Sequence, residues 1–119
     1  LKDVDDIQDI IIENQISTIA TRRKTLQGMI VQYFVMSDIC VDNIEFVSAR
    51  NKLKYILPDN NKEKTTYSSR KKIGILACIE RITNDHRFNN QVDYFNTHKK
   101  KDDLADAFLQ GIWYIENKQ

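Results

Sequence analysis

Twelve residues near the C-terminal end, Lys-Lys-Lys-Asp-Asp-Leu-Ala-Asp-Ala-Phe-Leu-Gln from Lys99 to Gln110, restrict the fold more than any other stretch. Leu104, Phe108, Gly111/Ile112 and Ile115 recur at three- and four-residue steps, which predicts an amphipathic helix beginning near Asp102. Asp102 is expected to be its N-cap. Acidic side chains in a first turn complement the helix dipole, but Asp106 lies a full turn inside, where that explanation is weak. Asp103 and Asp106 are three positions apart and therefore neighbours on one helix face. Two carboxylates so placed suit a hard divalent cation, which prefers oxygen ligands.

The rest of the chain supplies strands and further helices. Ile10-Ile11-Ile12 is a β-branched run that predicts a buried strand, ending in Glu13-Asn14-Gln15. A carboxylate there is either a solvated strand end or a member of a site, since open α/β sheets place ligands at the carboxyl ends of their strands. Ser17 to about Ser37 has helical spacing, with Ser17 as cap and Ile19, Leu26, Ile30, Tyr33 and Phe34 on one face. Arg22, Arg23 and Lys24 cluster early in that helix, as a solvated face or as a grip on phosphates. Asp42-Asn43 marks a turn, and Ile44-Glu45-Phe46-Val47 alternates as a second strand. Pro58 to Ser69 is polar and predicts a mobile loop. Arg70-Lys71-Lys72 opens another helical pattern through Ile73, Leu76, Ala77 and Ile79, and Phe88, Val92 and Phe95 predict a short helix within 84–96. Strands alternating with helices define an α/β domain.

Composition excludes more than it assigns. A chain of 119 residues accommodates one domain, and a net charge of +1 announces no polyanion by itself, so local basic clusters carry that question. Cys40 and Cys78 lack metal-ligand spacing and read as buried free thiols in a reducing, intracellular setting. His86 and His98 have no partner at ligand spacing. No run reaches the roughly 18 apolar residues of a membrane span, and there is no glycine-rich phosphate loop.

Three stretches, taken in order, resemble one family. Ile11-Ile12-Glu13-Asn14-Gln15, then Phe46-Val47-Ser48 with Lys52 beyond it, then Lys100-Lys101-Asp102-Asp103-Leu104-Ala105-Asp106-Ala107-Phe108 are similar to RuvC-type Holliday-junction resolvases. The likeness is to the enzymes of poxviruses and other large DNA viruses and to the related mitochondrial enzymes of fungi. It implies an RNase H-like α/β fold, with a mixed sheet flanked by helices. It also implies a homodimer that cuts four-way branched DNA with Mg2+, for which Mn2+ can substitute, and that uses neither a small-molecule cofactor nor a membrane. Carried over by position, Glu13, Asp103 and Asp106 are the metal ligands, and Lys71 is an active-site lysine. Arg22, Arg23, Lys24, Lys52, Arg70 and Lys72 are the expected phosphate contacts. In such enzymes carboxylate-held metals activate a water and stabilise the leaving oxygen. A viral replication site in the host cell is the implied location, with the mitochondrion as the alternative.

The family's opening strand carries an aspartate in a motif like Asp-Ile-Gly, and no such motif is present. The expectation is therefore that residues 1–119 form the C-terminal two-thirds of a single resolvase domain that lacks the three-strand N-terminal meander. Two other readings compete: a non-cleaving DNA-binding or assembly module of the same fold, and an RNase H-like nuclease acting on another nucleic acid. The helix from Ser17 to Ser37, through Tyr33, Phe34 and Met36, is either the dimer interface or part of the core.

Overall fold

The structure is a computed structural model, and it describes residues 6–15, 21–39, 41–56 and 67–117. Two compact units make up the chain, Leu1–Ala49 and Arg50–Gln119.

In the first unit, β1 (Asp9–Glu13) is followed by α1 (Thr21–Met36) and β2 (Asn43–Val47). The strands are parallel and in register from Asp9 opposite Asn43 to Glu13 opposite Val47. Parallel neighbours need a crossover to return the chain to the starting edge, and α1 lies in that crossover. The pairing continues beyond the rungs, for Asn14 N–H donates to the Val47 carbonyl at 2.8 Å, and Asp42 and Asn43 N–H donate to the Gln8 carbonyl at 2.8 and 3.1 Å. The isoleucines form the expected strand, but β1 is half-buried throughout rather than buried. Among the described residues each strand has one partner, and a pair of strands offers little face to cover another.

The inward stripe expected on α1 faces outward. Leu26, Ile30 and Tyr33 are 51%, 45% and 57% exposed, and α1 has no buried residue. The spacing groups these side chains on one face, and Ile12 of β1 shares a groove with Leu26 and Ile30. Tyr33 and Phe34 meet edge to face, 5.2 Å between ring centres. The expected cap, Ser17, lies outside the described residues.

The second unit is helical. A 3-10 turn (Ala49–Lys52) leads into α2 (Leu53–Ile56), followed by α3 (Tyr67–Asn84), a 3-10 turn (Asn89–Gln91), α4 (Val92–Thr97) and α5 (Lys101–Asn117). Its core is a helical stripe meeting another: Ile75, Cys78, Ile79 and Ile82 of α3 pack with Leu104, Ala105 and Phe108 of α5 and with Phe88, Val92 and Phe95 between them. Spacings of three and four put each set on one face of its helix. Phe88 stands edge-on to Phe108, 5.2 Å apart with planes at 90°, an arrangement that suits the aromatic quadrupoles. Leu109 is 1% exposed, and a leucine so buried contributes about 1.5–3 kcal/mol of transfer free energy.

Local hydrogen bonds fix the joints. Between α3 and the turn at Asn89, the Asp85 carboxylate accepts from Arg87 N at 3.0 Å and from its guanidinium at 2.8 and 3.0 Å. That contact holds the Asp85 carboxyl well below the usual carboxylate range. Arg87 in turn lies 5.0 Å over the Phe88 ring. Ahead of α5, Lys100 N–H donates to His98 Nδ1 at 3.1 Å, which gives His98 a structural role. Leu104 N–H donates to the Lys100 carbonyl at 3.2 Å, so the residue capping α5 is Lys100 and not Asp102. Most of the expected loop, 57–66, lies outside the described residues; Tyr67–Ser69 already belong to α3. No helix among the described residues is long and apolar enough to cross a membrane.

Candidate functional site

The first two turns of α5 carry the carboxylates singled out by their spacing. Asp103 and Asp106 are exposed, with 69% and 49% of their side-chain surface open. Each has a lysine beside it. Lys52 Nζ, brought in by the 3-10 turn before α2, is 3.1 Å from Asp106 Oδ2. Lys100 Nζ is 3.9 Å from Asp103 Oδ2. Asp102, one turn before Asp106, takes Lys71 of α3, with Nζ at 3.2 Å from Oδ2. The hydrogen bond from Lys71 keeps the Asp102 carboxyl below its ordinary range. The residue expected as the cap is thus an ion-pair partner inside the first turn. Lys52 and Lys71, named separately from the sequence, converge on one edge of α5 because α2 and α3 both pack in this unit.

This donor set suits magnesium in kind. Mg2+ dehydrates reluctantly and is held by one or two carboxylates together with substrate phosphates, and Asp103 and Asp106 offer two accessible carboxylates one turn apart. Among the described residues no three His, Cys, Asp or Glu side chains are gathered as metal ligands. The two lysines occupy the positions from which a cation or a phosphate would compete.

Glu13 belongs to the other unit. It closes β1 opposite Val47, and Gln15 Nε2 donates to its main-chain carbonyl at 3.2 Å. Gln15 N–H donates to Gln27 Oε1 of α1 at 2.8 Å, which ties the strand end to the helix. Glu13 and Arg23 line one groove of about 390 Å3, with Gln15, Gln27 and the apolar Ile12, Leu26 and Ile30. Of the basic cluster on α1, then, Arg23 shares the groove with the carboxylate, while Arg22 and Lys24 are exposed on the helix. Both strands run parallel, so Glu13 and Ser48 leave the sheet at the same edge, where α/β sheets carry their ligands.

On α3, Arg70 is half-buried and its Nε is shielded from solvent without a hydrogen-bond partner; Lys72 is exposed. Two groups of charged residues were not legible as sites. Lys99 and Lys101, not among the expected phosphate contacts, share a cleft with Lys71 and Lys72. At the far end of α5, Glu116 accepts from the Tyr55 hydroxyl and from Arg81 Nη2, the latter at 2.5 Å. Burial, and then the Glu116 carboxylate, push the Tyr55 hydroxyl up to about 12. The Tyr55 hydrogen bond and Arg81 hold the Glu116 carboxyl down. These partners lie far apart in the sequence, so no local pattern announces them.

The chain matches no protein-family model, and no solved structure matches it. It is similar to an uncharacterised protein of Acanthamoeba polyphaga mimivirus, 32% identical over 124 residues that cover 92% of this chain and 29% of that protein. The chain therefore spans less than a third of the length of this relative.

Proposed function

We propose that the chain is the catalytic part of a magnesium-dependent endodeoxyribonuclease of the RNase H-like, RuvC-type class, acting on four-way DNA junctions in recombination, repair or the resolution of genome concatemers. The observation that carries this reading is the edge of α5, where exposed Asp103 and Asp106 stand with Lys52 and Lys71 drawn from two other elements. Paired carboxylates next to lysines are what hydrolysis of a phosphodiester needs: oxygen ligands for a cation, and cations to meet the charge that develops on phosphate. When bound, the metal supplies an acidified water and a counter-charge for the leaving oxygen. Asp103 and Asp106 would hold it from α5. Lys52, beside Asp106, and Lys71, beside Asp102, would supply positive charge to the phosphate.

The parallel strand ends with Glu13 and Arg23 in one groove agree with this assignment. The open apolar face of α1 supports a homodimer, since Leu26, Met29, Ile30, Tyr33 and Met36 share one side of the helix and are all 45% exposed or more, and contiguous apolar surface marks interaction sites. The viral relative agrees with a viral replication site as the place of action.

The test is cleavage of a labelled four-way junction with magnesium. The chain is used alone and within the longer coding sequence, alongside Asp103→Asn and Asp106→Asn. Symmetric nicks lost in both variants are expected. Junction binding without any cut, in the longer protein as well, would replace this reading with the non-cleaving DNA-binding module.

A further inference from the structure

A second basic feature of the Arg50–Gln119 unit adjoins the carboxylate edge and shares Lys71, Lys100 and Asp102 with it. The first turns of α3 and α5 border a cleft of about 430 Å3 lined by Lys71, Lys72, Lys99, Lys100 and Lys101, with Asp102 as its one acidic member. Asp102 is already satisfied by Lys71, and Lys100 leans toward Asp103. Lys72, Lys99 and Lys101 have no carboxylate partner among the described residues. Folding thus gathers ammonium groups from two distant chain segments into one cleft, three of them without a carboxylate partner among the described residues. Like charges held within a Debye length of about 10 Å repel one another and weaken the packing of α3 on α5 unless an anion sits among them. The two helix starts add the positive ends of their dipoles to the same space.

We infer that this cleft holds the phosphates of a nucleic-acid strand, through Lys72, Lys99 and Lys101, without a metal ion. The spread of the lysines favours a polyanion over a single small anion. Three ammonium groups on separate stems track successive phosphates, whereas one phosphate is better met by a fork such as arginine supplies. A lysine-lined cleft reads charge and spacing, not base sequence. The inference rests on the nucleic-acid half of the proposed function and is independent of its cleavage step.

The experiment measures binding of a fluorescent four-way junction and of a short single strand in EDTA over a salt series. It uses the full chain, the Lys99→Glu/Lys101→Glu double variant and the Lys99→Arg/Lys101→Arg control. Sodium tripolyphosphate serves as the small-anion competitor. With each lost phosphate contact worth about 0.7–0.9 in the log–log salt slope, the Glu variant is expected to lower the slope by about 1.4–1.8 and affinity by about tenfold or more. The Arg control is expected to bind normally. Moderate salt is also expected to raise the melting temperature of the parent chain more than that of the Glu variant. Unchanged affinity and slope in the Glu variant, or no binding by the parent chain, overturns the inference. Tripolyphosphate displacing DNA at equal phosphate concentration does so too, since the cleft is then a small-anion site. Magnesium-dependent cutting is scored separately, so failure of the nuclease leaves a metal-free binding result standing.

Discussion

The ammonium of Lys52 stands 3.1 Å from Oδ2 of Asp106, with only 17% of the Lys52 side chain exposed. A cation approaching Asp106 must therefore displace or repel a charge already in place. If Asp106 is a metal ligand, Lys52→Met removes that competitor and tightens Mn2+ binding by about 5–30-fold, a Coulomb interaction of roughly 1–2 kcal/mol at a partly exposed site. The same variant loses junction cleavage, because the charge that met the phosphate is gone. Calorimetric Mn2+ titration without DNA reads the first effect separately. Equal or weaker Mn2+ binding by Lys52→Met would remove Lys52 from the site.

The α1 face supplies a test of oligomeric state. Met29 and Tyr33 are 62% and 57% exposed, so Met29→Glu/Tyr33→Glu removes little from the folded unit. It is expected to convert a dimer to monomer in analytical ultracentrifugation with an unchanged circular dichroism spectrum. A dimer that survives the double substitution places the interface elsewhere.

In the Arg50–Gln119 unit, Leu109→Ala deletes a side chain that is 1% exposed. The expected loss is about 2–5 kcal/mol, the usual range for a buried leucine, read as a lower urea midpoint with an unchanged slope. A loss near zero would mean that α5 does not pack as described.

Cys78 is buried, and burial pushes its thiol up to about 11. It is therefore protonated and shielded near neutral pH, since the thiolate is the reactive form. In a Cys40→Ser background, alkylation by iodoacetamide is expected to be slow in the native protein and rapid in urea, followed by intact mass. Rapid native labelling would contradict the packing of α3.

Acid should loosen the same unit by a route that can be assigned. The carboxyls of Asp85, Asp102 and Glu116 are each held low by a cationic or hydrogen-bonding neighbour: Arg87, Lys71 and Tyr55 respectively. A depressed folded value means that the stabilisation is full above the unfolded pKa, about 3.9–4.3, and is lost as pH falls through the folded values. Urea midpoints between pH 7 and pH 2 are expected to fall below about pH 4. The fall should be shallower in Asp102→Asn, whose residue 102 no longer titrates; an identical profile would show that the Lys71 pair contributes nothing.

What the sequence made legible follows from what a local pattern encodes. The helices at α3 and α5 and the strands at Ile10–Ile12 and Ile44–Val47 depend on neighbours within four positions, and each element is present in the structure. The packed face of α3, however, is Ile75, Cys78, Ile79 and Ile82 rather than the expected Ile73, Leu76 and Ala77, and Leu76 and, on α5, Ile115 are exposed. Periodicity also grouped Leu26, Ile30 and Tyr33 correctly, but it states which residues share a face and not whether anything covers it. The partners Lys52–Asp106, Lys71–Asp102 and Tyr55–Glu116 are set by which helices pack together, so spacing alone could not supply them. Asp102 read as a cap because acidic residues favour helix starts; the main-chain bond from Leu104 to Lys100 moves the start two residues earlier.

The in-register pairing of Glu13 with Val47 makes the position of that carboxylate a matter of counting. Side chains alternate faces along a strand, so deleting one residue from Ile10–Ile12 would turn Glu13 to the opposite side of the sheet without changing its chemistry. Extra residues inserted between Met36 and Asn43 leave the alternation untouched. Across related genes, length changes should accordingly be frequent in that connection and rare within the five residues of β1, whatever the surrounding sequence has become.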